Sequence, residues 1–193
     1  MSVSPLDHYP RWHGYDDLPG PLNTLTRADA RSAFDHFLAD ADERVRTLRR
    51  FLAEVAGIDA TLDERGVAAI DTWLWPWLAD LIRRDLIEQE QHSGLLHDVG
   101  VFAGEALIHE RPGVRWNLLT KGPRVTKGYQ SAVLAPFPAG YEPYWAVTAE
   151  TIADGYVLAN RVVGKRQPSF SPRLLFRYKL FAGKIPWPDL ASA

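Results

Sequence analysis

Four side chains between residues 97 and 109 are of the types that build metal or acid–base sites: His97, Asp98, Glu105 and His109. Imidazole nitrogens and carboxylate oxygens are ligands for divalent ions, and the same groups exchange protons near neutral pH. Glu105 and His109 are four apart, so on a helix they share a face. His97-Asp98 sits nearly two turns earlier. The pattern is not HExxH, in which paired histidines flank a catalytic glutamate. The ordinary reading of these residues and of the neighbouring Glu110 is therefore a surface or helix-terminal role. Glu105 stands between Gly104 and an apolar stripe. A partly buried carboxylate there, paired with Arg115 or another arginine, would be structural. A catalytic role requires the group to converge in a cleft with perturbed pKa values.

Other chemistry is poorly represented. Cysteine is absent, which excludes disulfides, thiolate nucleophiles and Cys-ligated metal clusters, and is compatible with a reducing cytosol. His8, His13, His36 and His92 follow no metal-ligand spacing. No GxSxG or SxxK elbow is present, nor a GxGxxG fingerprint. The glycines of TKGPRVTKG, residues 120–128, lack the phosphate-loop spacing and read as a basic hairpin loop. No cofactor is expected.

Charge is divided unevenly along the chain. Residues 1–110 hold 10 Lys+Arg against 20 Asp+Glu, a net of −10, and residues 111–193 hold 12 against 4, a net of +8. Between Gly155 and Pro188 there is no acidic residue, against Arg161, Lys165, Arg166, Arg173, Arg177, Lys179 and Lys184. Phe170, Phe176, Tyr178 and Phe181 interleave with these cations. Such a surface attracts phosphate backbones, anionic lipids or an acidic protein. It serves equally well to compensate the acidic half of the same molecule.

The elements that must position these groups follow from periodicity. Thr26, with Asp29 three residues on, begins a helix in which Ala30, Phe34, Phe37 and Leu38 recur at helical spacing. Val45, Leu48, Phe51, Leu52 and Val55 continue the stripe, as the same helix or as a second one after a break near residues 39–41. Arg44, Arg46, Arg49 and Arg50 are expected to face out, and Gly57 to end the segment. Thr61 or Asp63 caps a helix through Val67, Ile70 and Leu74. Pro76 predicts a break or kink, with a new helix over Trp77–Glu88. Trp73, Trp75 and Trp77 read as core. Asp98 caps a helix to Glu110, burying Val99, Phe102, Ala103, Ala106 and Leu107. Gly100 and Gly104 would admit another helix closely. Strands are expected over 114–119 and 130–137. Residues 144–163 fit a helix slightly better than strands.

The expected architecture is α+β, with four to five helices packed on a small antiparallel sheet. Residues 1–25 form an N-terminal arm that Trp12 and Tyr15 could tie down. Residues 26–167 form one domain, and 168–193 a basic, Pro-rich extension packed on it. Seven Trp, seven Tyr and eight Phe supply ample core. MSVSPLDHYP shows no secretory pattern, and no apolar run is long enough to cross a bilayer.

The stretch GEALIHERPGVRWNL, Gly104–Leu118, resembles uncharacterised bacterial, mainly actinobacterial, proteins in which a Gly-Glu helix, a Pro-Gly turn and a Trp strand follow one another. Leu62–Trp77 adds to the likeness. Some proteins of this appearance are immunity or toxin-associated. The resemblance implies an α+β fold and supplies no catalytic residue. The expected function is a non-enzymatic, cytoplasmic protein-interaction module. The alternatives are a metal-dependent hydrolase using the Glu105/His109 region, and weak nucleic-acid binding through the basic C-terminal region.

Overall fold

The computed structural model describes residues 9–10, 17–83, 90–124, 129–136 and 174–184. Among them are the helices α1 (Arg27–Ala56), α2 (Glu64–Arg83), α3 (Glu90–Glu110) and α4 (Leu174–Phe181), and the strands β1 (Arg115–Leu118) and β2 (Ala132–Ala135). The fold is α+β. No helix among these residues is long and apolar enough to cross a membrane.

α1 is one helix of 30 residues, without a break near residue 40. Thr26 Oγ1 accepts the Asp29 amide at 3.2 Å and so satisfies one of the unpaired donors of the first turn. Gly57 ends the helix in the left-handed region, at φ 66°, and its N–H returns to Ala53 O. Ala30, Phe34, Phe37, Ala41, Val45, Leu48 and Leu52 follow one another three or four apart and are all buried. That stripe runs through the acidic DADE segment without interruption, which explains the single helix.

Asp63 caps α2, accepting the amides of Arg65 and Gly66 at 2.9 and 3.1 Å. Of the break or kink expected at Pro76, the break does not occur: α2 continues from Glu64 to Arg83 with Pro76 inside it. Proline removes one helical hydrogen bond there. However, Ile70, Leu74 and Leu78 are four apart across the proline and all fully buried. Each contributes roughly 1.5–3 kcal/mol by leaving water, enough to hold the helix through its weakest point. Trp73, Trp75 and Trp77 are half-buried against the same core.

α3 begins at Glu90 rather than at Asp98. Asp98 is thus an interior residue of the helix and not its cap. Val99, Phe102, Ala103, Ala106 and Leu107 are buried as expected.

β1 and β2 are antiparallel, with Trp116 opposite Leu134 and Asn117 opposite Val133. Leu119 and Gln130–Ser131 extend the ladder by two further backbone bonds. Gln130 has φ 64° and its side-chain amide donates to Leu25 O and Thr26 O, tying the hairpin to the start of α1.

α1 packs along α3 and against β1, while α4 lies on α2 and α3. One core joins Tyr9, α1, α2, α3, the hairpin and α4, the last through Leu174, Tyr178 and Phe181. Trp12, Tyr15, residues 84–89 and residues 144–163 lie outside the described residues.

Candidate functional site

α1 and α3 together position the residues whose chemistry stands out. Adjacent residues on a helix project about 100° apart. On α3, His97 and Asp98 consequently meet different parts of α1. The His97 ring stands edge-on to Phe37, with centroids 5.9 Å apart. Burial, helped by the charge of Arg44, pushes its pKa down to about 3. The buried imidazole is neutral at physiological pH.

Asp98 is wholly buried. Arg44 Nε donates to Asp98 Oδ1 at 2.6 Å, and the Tyr9 hydroxyl donates to Asp98 Oδ2. Arg44 is therefore not an outward residue of α1; its side chain is only 13% exposed and points into the interface with α3. Helical position explains the difference, because Arg44 is three residues from Ala41 and four from Leu48, both buried. Burial pushes Asp98 up to about 6, against the opposing hydrogen bond and charge of Arg44 and the Tyr9 hydrogen bond. Tyr9 is raised far above its usual range by burial and by the carboxylate it faces. Its ring meets Phe51 edge-on at 4.8 Å.

Glu105 is seven residues beyond Asp98, about 10 Å along the helix axis. It accepts Trp116 Nε1–H at 2.7 Å. Partial burial raises its pKa, the Trp116 bond opposes the rise, and the charge of Asp42 adds to it. Among the described residues its donor is a tryptophan and not the arginine expected. Trp116 is positioned by β1 and by Phe37, whose ring is edge-on to it at 5.0 Å. Gly104 admits this indole rather than a neighbouring helix. A Cβ on Gly104 would lie 2.2 Å from Trp116 Cζ2.

His109 is exposed in the last turn of α3. The sequence's candidate group is thus shared among separate partners: His97 with Phe37, Asp98 with Arg44 and Tyr9, Glu105 with Trp116. Among the described residues, no group of three or more His, Asp or Glu is placed to hold a metal ion.

A second polar cluster lies where α4 meets α2 and α3. Lys184 Nζ reaches Glu64 at 2.7 Å and also pairs with Glu110, while Lys179 Nζ lies 3.1 Å from Glu64. The Tyr178 hydroxyl donates to Glu110. Burial and the Glu110 carboxylate raise Tyr178, whereas the lysines hold Glu64 below its usual value. Two of the seven C-terminal cations are therefore engaged with the acidic half. Arg161, Lys165, Arg166 and Arg173, and the side chain of Arg177, lie outside the described residues.

Tyr9 and Arg44 are the members that reading the sequence missed. Arg44 had a signal, a cation on an apolar stripe. Tyr9 had none, because nothing local connects it to α1 or α3. Comparisons with protein-family models, curated proteins and solved structures each return no match.

Proposed function

We propose that the chain is a non-enzymatic protein-interaction module, with immunity-type inhibition as the form suggested by its resemblance to uncharacterised bacterial proteins, some of which are immunity or toxin-associated. The observation that supports this most is the engagement of its candidate acids in bonds that hold the fold: Asp98 with Arg44 and Tyr9, and Glu105 with Trp116. A general acid or a metal ligand has to be available to a substrate or an ion.

The surface offered to a partner is the first half of α1. Residues 27–43 carry Arg27 and Arg31 against Asp29, Asp35, Asp40, Asp42 and Glu43, a net of −3. Asp35, Asp42 and Glu43 are exposed. Asp35 pairs with Arg31 at 3.1 Å and Glu43 with Arg46 at 2.9 Å, both within the helix. Exposed pairs of this kind are weak and screened by solvent, so a partner's cations exchange for them at little cost. A basic partner would be steered to this face and blocked by steric and electrostatic occlusion. Pairing of Lys179 and Lys184 with Glu64 and Glu110 favours the acidic face over the basic tail as the docking surface.

The finer fold expectation, four to five helices on the sheet, belongs to the same proposal, as does a bacterial cytoplasmic setting. The absence of cysteine is compatible with a reducing cytosol. Purification from the native cells at moderate salt, followed by mass spectrometry, tests the proposal. A stoichiometric protein partner supports it. Co-purifying nucleic acid, or a bound metal with hydrolytic activity, overturns it.

A further inference from the structure

Tyr9 comes from the segment ahead of the first helix, yet it is buried 89 positions away from its hydrogen-bond partner Asp98. The walls around it are supplied by other elements. Phe51 and Arg44 come from α1, and Asp98 from α3. These two helices also pack on one another, with Leu48, Leu52, Val99 and Phe102 in the core they share. The polar wall is organised too, since Arg44 fixes the Asp98 carboxylate at 2.6 Å and leaves its second oxygen for a hydroxyl donor. Phe51 supplies an aromatic contact at 4.8 Å. Among the described residues, Arg44 Nη2, on the same guanidinium, is a buried donor with no hydrogen-bond partner. The enclosure thus has one apolar aromatic side and one acceptor for a hydroxyl.

We infer that the enclosure filled by Tyr9 is a phenol-binding site, with the Tyr9 side chain as its resident occupant. A tyrosine side chain or a free phenol fits the same place once Tyr9 is removed. Recognition has two parts. Ring burial against Phe51 supplies area, and the hydroxyl pairs with the buried Asp98 oxygen that Arg44 Nε does not engage. The second part makes the site selective for phenols over plain arenes. This inference is independent of the interaction-module reading, since it concerns what the α1–α3 enclosure holds and not what the outer face of α1 meets.

The test uses the full chain with Tyr9→Ala, which leaves a space of phenol size, and p-cresol and toluene as probes. Removal of matched side chains leaves cavities that take small molecules of the missing shape. The melting temperature of Tyr9→Ala is expected to fall by about 5 °C or more. Millimolar p-cresol is expected to restore most of that loss, saturably, with toluene restoring much less and wild type responding to neither. Equal rescue by toluene, no rescue by p-cresol, or an equal p-cresol effect on wild type overturns the inference. So does a Tyr9→Ala chain that fails to fold while Tyr9→Phe folds, because the Tyr9 ring would then be an obligatory part of the core.

Discussion

Trp116 occupies the space that any side chain at Gly104 would need, and a Cβ there would stand 2.2 Å from Cζ2 of the indole. The same indole donates to Glu105, the next residue along α3. Gly-Glu on the helix and Trp on the strand are therefore one device. It fastens β1 to α3 across the Arg111–Gly113 turn, and it accounts for the most distinctive stretch of the sequence without chemistry.

Gly104→Ala tests that device against helix propensity. Alanine favours a helix interior over glycine by about 1 kcal/mol. The clash with Trp116 is expected to outweigh this and leave a net loss of roughly 1–3 kcal/mol. Urea unfolding measures it. A more stable Gly104→Ala would mean that the indole moves aside freely.

The buried Arg44–Asp98 pair should behave asymmetrically. Asp98→Ala leaves a buried guanidinium uncompensated and is expected to cost about 3–5 kcal/mol. Arg44→Met combined with Asp98→Leu is expected to cost less than either single change, since no charge is then stranded. A double-mutant cycle by chemical denaturation reads the coupling. A loss of under about 1 kcal/mol for each single variant, typical of exposed pairs, would place both charges in water.

His97 and Asp98 pull stability in opposite directions on acidification. The pKa of His97 is depressed from 6.5 to about 3 in the folded protein, so its contribution is present above 6.5 and is lost as pH falls towards 3. Asp98 is raised from 3.8 to about 6, so its contribution is full below 3.8 and is lost as pH rises through 6. Between about 4 and 6 the two largely offset. His97→Gln should therefore gain stability relative to wild type on going from pH 7 to pH 4.5, and Asp98→Asn should lose it. Urea midpoints at both pH values check this. The same pH dependence in all three chains would contradict the burial of both groups.

The fold was legible where periodicity and caps agree. Thr26, Asp29 and Gly57 mark both ends of α1, and the hairpin follows from Trp116–Leu119 and the 130–137 run. Pro76 misled because Ile70, Leu74 and Leu78 continue one buried face across it. The site was half legible. Arg44, between Ala41 and Leu48, and Asp98, between Leu95 and Phe102, each put a charge on an apolar stripe. Two opposite charges in such places call for one another, but their pairing needs the α1–α3 packing that no local pattern states. Tyr9 depends wholly on that packing.

Attachment of α4 is expected to rest on apolar burial more than on charge. Tyr178 is 1% exposed, and Tyr178→Ala should cost roughly 3 kcal/mol or more. Lys184 is a third exposed, and its pairs with Glu64 and Glu110 lie in partial contact with water. Lys184→Ala should cost about 0–1 kcal/mol. Hydrogen exchange over residues 174–181 in low and high salt separates the two. Loss of protection at high salt alone would show that the ion pairs hold the helix.

The central claim, that this chain works by binding a protein through the acidic first half of α1, is tested most directly by native purification of two tagged chains at moderate salt. One is wild type and the other carries Asp35→Lys, Asp42→Lys and Glu43→Lys, all at exposed positions. The account predicts a stoichiometric protein partner with wild type and its loss from the folded triple variant. Wild type emerging with nucleic acid, or with a metal ion and an activity abolished by Glu105→Gln, would contradict it.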